Sequence, residues 1–210
     1  MSSAAISRRV ATIGAATVIG IGSALVGAVA PAQAAKATTS YTCTTIAGPA
    51  MTDATIKLNL PKSVKAGSTV SARPFKATVV LPSELVDTLR FVGVTSISGK
   101  ASKLGYTVGS KKVAVNKAKI KKTPVPPSGT MTLVLKGTSA AFKAPAAGKH
   151  KVTTPKSFTL SLKNQSGDPL GGDIPCTRDQ GATSKLTTLT TTKPARHGAS
   201  ARRALLAHSS

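Results

Sequence analysis

The side chains that could do chemistry are few, and their types are unbalanced. The 210-residue chain carries 29 lysines and arginines against six acids, a formal charge of +23. The acids are Asp53, Glu84, Asp87, Asp168, Asp173 and Asp179. Glu84 and Asp87 lie three apart, so on a helix they share a face and could mimic a catalytic carboxylate pair. A helix N-terminus that favours negative charge accounts for them more simply. Asp168 and Asp173, in "GDPLGGD", could offer loop oxygens to calcium, but Asp-Pro and Gly-Gly also build turns, and that is their expected use. His150 is flanked by Lys149 and Lys151. Two neighbouring ammonium groups disfavour the imidazolium that a general base must become, and no G-x-S-x-G elbow accompanies it. The expectation is a protein that is not an enzyme, with no cofactor and no metal site; an atypical secreted hydrolase is the reading this displaces.

The remaining chemistry is cationic. "GSKKVAVNKAKIKK", residues 109–122, holds Lys111, Lys112, Lys117, Lys119, Lys121 and Lys122 with no acid among them. Val113 and Val115 share a strand parity with Lys117, Lys119 and Lys121, so one continuous strand would mix valines and lysines on a face. A bulge or tight turn near Asn116 resolves this, because a one-residue offset exchanges the faces. The lysines then form an outward row. Its ordinary use is a solvated edge strand that resists edge-to-edge pairing. Its functional use is to bind an extended anion, with the charge of the whole chain acting as a long-range field.

Where the protein works narrows the choice of anion. Arg8 and Arg9 precede an apolar run from Ala11 to Ala30, and Pro31 is followed by Ala32-Gln33-Ala34. This reads as a signal peptide over 1–34, cleaved between Ala34 and Ala35 with the small residues Ala32 and Ala34 in the A-x-A positions. The alternative is a retained membrane anchor, which the glycines and alanines of the run make weakly apolar. "SRRVAT" resembles a twin-arginine signal but lacks the apolar pair that usually follows, so general export is expected. Cleavage removes Arg8 and Arg9 and lowers the charge from +23 to +21. No integral span is then expected, and localisation is extracellular, with non-covalent association with the envelope as a further option. Cys43 and Cys176, the two cysteines, become a disulfide closing 133 residues. The anions at hand outside are wall polymers carrying phosphate or carboxylate. Specific nucleic-acid readout is not expected, since no aromatic row interleaves the lysines and Lys dominates over Arg. A secreted cationic protein that binds nucleic acid or membranes non-specifically is the alternative. Extracellular proteins are the other partner class.

These side chains need elements to place them. Short β-like runs recur between turn residues: 41–46, 54–60, 70–81, 94–99, 104–109, 112–120, 130–137, 149–154 and 157–163. "ATIKLNL", 54–60, alternates Ile56, Leu58 and Leu60 with Lys57 and Asn59, one face in a core and one in water. Pro74 predicts an edge strand or a bulge. "PSELVDTLRFV" predicts one short helix capped by Ser83. The sum is an all-β fold, an immunoglobulin-like antiparallel β-sandwich with one short helix, over a domain at 35–182. The chain has no tryptophan, so the Cys-Trp-Cys core of antibody domains is absent and only the sandwich architecture is implied. The Thr-, Ala- and Arg-rich stretch 183–210 predicts a disordered basic tail, with an edge strand open at 186–191.

Several short pieces, in order, resemble a family of secreted actinobacterial β-sandwich domains of unknown function. They are "YTCTTIAGP" at 41–49, "PKSVKAG" at 61–67, "LPSELVDTLR" at 81–90, "PAAGKHKV" at 145–152 and "IPCT" at 174–177. The resemblance implies an extracellular location, a bridge between Cys43 and Cys176, and no assigned activity.

Overall fold

The computed structural model describes residues 32–46 and 48–194. Along them run β1 (Ala32–Thr45), β2 (Gly48–Pro61), β3 (Ser63–Lys65), β4 (Thr69–Val70), β5 (Pro74–Leu81), the helix α1 (Ser83–Phe91) and β6 (Ser96–Ser102). There follow β7 (Gly105–Val108), β8 (Lys111–Pro124), β9 (Met131–Ser139), β10 (Phe142–Lys143), β11 (Gly148–Thr153), β12 (Ser157–Lys163), β13 (Pro169–Arg178) and β14 (Lys185–Thr192). The all-β architecture with one short helix is as the sequence predicts.

Alternation drives the strands inward on one face. In β2, Ala54, Ile56, Leu58 and Leu60 are buried while Asp53, Lys57 and Asn59 are exposed. β5 buries Phe75, Ala77, Val79 and Leu81, and β9 buries Met131, Leu133 and Leu135. Each of the Ile, Leu, Val, Phe and Met side chains among them contributes roughly 1.5–3 kcal/mol. The pairing order β6-β12-β13-β1-β2-β5-β9 is completed by β8, which pairs with β9 on one side and β6 on the other. Eight strands therefore close into a ring, a barrel- or sandwich-like arrangement whose apolar faces meet inside. An annex sheet of β7, β11, β14 and β3 leaves the ring at the N-terminal part of β8.

Several expectations are corrected. β8 has a partner on each side, so its lysines do not protect an edge. Pro74 begins β5, which lies between β2 and β9; the first residue of a strand is a place where a missing N–H is tolerated. Ser83 does not cap α1: Pro82 is the extended N-cap residue, without a side-chain cap. The folded domain runs past residue 182, because β14 is inserted between β3 and β11, with Leu186, Leu189 and Thr191 buried. The threonine-rich sequence read as tail is a β-prone, half-buried strand. Residues 195–210 of the expected tail lie outside the described residues. At the other end, β1 starts three residues inside the expected leader, where Ala32 and Ala34 extend the ladder opposite Pro61 and Asn59. Ala34 is exposed, and Ala35, opposite Leu58, is buried. The rest of the expected signal segment lies outside the described residues.

Cys43 and Cys176 are bonded, S–S 2.02 Å, directly across the β1–β13 pair. The bridge joins the first strand to the thirteenth, not to the last. It belongs to an oxidising, non-cytoplasmic setting. Beside it Tyr41 and Phe158 pack edge to face, centroids 5.0 Å apart, a contact that adds about 0.5–1.5 kcal/mol to their burial.

Candidate functional site

The expected bulge in β8 is present. Asn116 faces Thr138 and Lys119 faces Lys136, so three steps on β8 match two on β9. Lys117 absorbs the extra residue at φ +52°, a left-handed conformation. Before the bulge Val113 and Val115 point inward; after it Ala118 and Ile120 do. Gly137 makes this possible, since a Cβ there would lie 2.9 Å from Val115 Cγ1 and 3.0 Å from the Asn116 carbonyl. A second register shift, between Ile97 and Gly99 of β6, matches two steps to three on β8 and leaves Lys121 and Lys122 both exposed.

These shifts divide the six lysines of 109–122 instead of aligning them. Lys111 and Lys112 pair with Val108 and Thr107 of β7, in the annex. Lys117 sits on the first bulge and Lys121 and Lys122 on the second. Lys119 alone enters a larger arrangement. Lys36 faces Lys57 across β1–β2, Lys57 faces Lys76 across β2–β5, and Lys76 faces Lys136 across β5–β9. Lys136 faces Lys119, and Lys119 faces Lys100 across β8–β6. Six exposed lysines on six neighbouring strands thus form one cross-strand band. With strands 4.7–4.9 Å apart, the band follows about 24 Å of the barrel surface. No acid interrupts it. It ends at Ser161, the partner of Lys100, whose hydroxyl donates to Asp173 at 2.6 Å.

Beside the band runs a ladder of Thr38, Thr55 and Thr78, with 2.9 Å between the first two hydroxyls. Like charges directly opposed across strands are destabilising, by a few tenths of a kcal/mol to about 1 kcal/mol each. The sequence hint was available but diluted: every strand of the band except β8 holds a single lysine, at a solvent-facing parity.

The other candidates are occupied by structural bonds. The His150 Nε2 lies 2.8 Å from the Ala146 carbonyl and 3.1 Å from the Thr191 hydroxyl, which ties the turn before β11 to β14. Asp87 pairs with Arg90 one turn along α1. Asn164 holds the turn at Asp168 through the Asp168 N–H at 2.9 Å. Asp53 accepts from Ser40 at 2.8 Å and Asp179 from Thr42 at 2.6 Å. Among the described residues no three His, Cys, Asp or Glu side chains gather as a metal site, and no helix is long and apolar enough to cross a membrane. Burial pushes the Tyr41 phenol up to about 12, against smaller opposing effects of Thr154 and Arg178, and its hydroxyl donates to the Pro155 carbonyl at 2.9 Å. Burial also pushes the Tyr106 phenol up.

A family model described as a family of unknown function (DUF6801) matches residues 40–187. The chain belongs to this family. The DUF6801 match opens one residue before Tyr41, takes in both cysteines of the bridge, and ends within β14. Neither a curated protein nor a solved structure matches the chain.

Proposed function

We propose that this protein is an exported, non-catalytic module of the cell envelope that holds a linear polyanion along the lysine band. The candidate ligands are wall polymers with repeating phosphate or carboxylate groups. The observation that carries this reading is the pairwise opposition of Lys36, Lys57, Lys76, Lys136, Lys119 and Lys100 on consecutive strands. Such a row costs stability in the free protein, and an extended anion lying across the strands relieves every repulsion in it. Lysines are compact point charges on flexible stems, without the fork geometry that reads one planar group. They suit a polymer recognised by charge spacing, and the adjacent threonine hydroxyls suit its polar backbone. Asp53, Asp87, Asp168, Asp173, Asp179 and His150, each bound to neighbouring structure, supply the non-catalytic part of the reading.

The test is retention of the disulfide-bonded protein on isolated, nuclease-treated cell walls over a salt series, beside the variant Lys57→Gln/Lys136→Gln/Lys100→Gln. The reading expects salt-sensitive retention that falls at least ten-fold in the variant. Retention on untreated walls that is lost on nuclease-treated ones assigns the band to nucleic acid, and retention equal in both proteins removes the band from the function.

A further inference from the structure

At one end of the ring, α1 roofs a pocket of about 190 Å³. Leu85 and Leu89 of the helix face Leu81, Ile97, Leu160 and Ile174 of the strands across it. None of its lining residues is charged. Its three hydroxyls donate to main-chain carbonyls: Thr45 to Gly48 at 2.8 Å, Thr52 to Val80 at 2.7 Å, and Thr88 to Glu84 at 2.9 Å. A guest would be held by apolar contact alone. An apolar cavity of about 150 Å³ already stays dry and takes up benzene.

The rim is as apolar as the interior. Ile46, Met51 and Val92 line the pocket and are 86%, 69% and 63% exposed, and Phe91 beside them is 92% exposed. The roof is fixed in place. The Gln165 amide donates to the Gly93 carbonyl at 3.2 Å and its carbonyl accepts from Thr95 N–H at 3.1 Å, while Arg90 donates to the Pro126 carbonyl at 3.2 Å. A pre-formed, open-mouthed apolar pocket has the form of a small-molecule site. The ends of the described residues lie away from it. Ala32 lies at the opposite end of β1, about 45 Å of strand from Thr45, and Thr192 pairs with Lys65 close to Pro61.

We propose that the pocket takes the alkyl tail of a single-chain amphiphile, with a long-chain fatty acid as the type. The tail lies between α1 and the inner strand faces, and the head group stays in water at the rim. The excess of 29 basic over six acidic side chains favours an anionic head. This inference does not rest on the lysine band.

The experiment is displacement of the fluorescent fatty acid cis-parinaric acid from the disulfide-bonded protein by saturated fatty acids of increasing length, each kept below its micelle concentration. The expected result is one saturable site that tightens about four-fold per added methylene and then levels when the tail outgrows the pocket. Salt and the triple lysine variant, which act only on the long-range attraction for the head group, weaken it far less than the loss of one methylene does. In the folded variant Ala50→Phe, which fills the pocket wall, binding weakens ten-fold or more. The proposal is overturned by absence of saturable binding, by binding that depends on salt and not on tail length, by wild-type affinity in folded Ala50→Phe, or by binding to phospholipid vesicles without binding of free fatty acid.

Discussion

Lys119 stands directly opposite Lys136 because Lys117, one bulge earlier, takes up an extra residue in the left-handed conformation. The pairing of two ammonium groups is thus produced by a distortion of β8, and Gly137 supplies the space for it.

Reversing the charge at the centre of the band should separate stability from binding. Lys136→Glu turns two repulsive neighbours, Lys76 and Lys119, into attractive ones. It is expected to stabilise the fold by about 0.2–1 kcal/mol per pair at low salt, an effect that fades as salt screens it. Binding to a polyanion weakens in the same variant. Urea unfolding at two ionic strengths measures the first effect.

Gly137→Ala should act in the opposite direction. The added methyl meets Val115, the Asn116 carbonyl and, at 3.1 Å, the Ala118 Cα, so β8 must move away from β9. A loss of roughly 1–3 kcal/mol is expected from the midpoint of urea unfolding.

The bridge between Cys43 and Cys176 closes a loop of sequence separation 133, for which chain entropy gives about 5 kcal/mol as a ceiling. The double variant Cys43→Ala/Cys176→Ala should lose about 2–5 kcal/mol of unfolding free energy. A loss below 1 kcal/mol would show that the β1–β13 pairing holds the ring closed without it.

Tyr41 ties stability to alkaline pH. Its phenol ionises near 10 in the unfolded chain and is pushed up to about 12 in the fold. Below pH 10 both states keep the proton and the contribution is intact. Between pH 10 and 12 only the unfolded state releases it, so stability falls with rising pH, by up to about 3 kcal/mol. In Tyr41→Phe this part of the fall should disappear from a series of unfolding curves across that window. The upward shift at Tyr106 acts in the same direction and leaves a residual slope.

Local pattern made much of this legible in advance. Strict alternation marked β2, two cysteines in a chain read as exported marked the bridge, and the parity conflict between the inward valines and Lys117 marked the bulge near Asn116. What stayed hidden depends on which strands lie side by side. Lys57, Lys76 and Lys136 belong to three strands, and only the register of β2, β5 and β9 brings them into line. The same non-local pairing gives β8 two partners, which no pattern within 109–122 reveals. In "PLGGD" the two glycines read as a turn. They occupy positive φ, +71° and +77°, inside β13, and at Gly171 the missing side chain leaves room for Ile46. The pocket under α1 was equally invisible, since its wall is assembled from the ends of several strands.

The most direct test of the lysine band compares two variants of identical net charge for binding to inorganic polyphosphate over a salt series. One is Lys57→Gln/Lys136→Gln/Lys100→Gln, within the band; the other is Lys111→Gln/Lys112→Gln/Lys122→Gln, outside it. For six contacts the unaltered protein should show a log–log salt slope of about −4, if polyphosphate sheds counterions as single-stranded nucleic acid does. The band variant should lose about half of that slope and most of the affinity, while the outer variant keeps nearly all of both. Equal losses in the two variants would contradict the account, because they would mean that total charge, and not the register of the strands, is what the polymer senses.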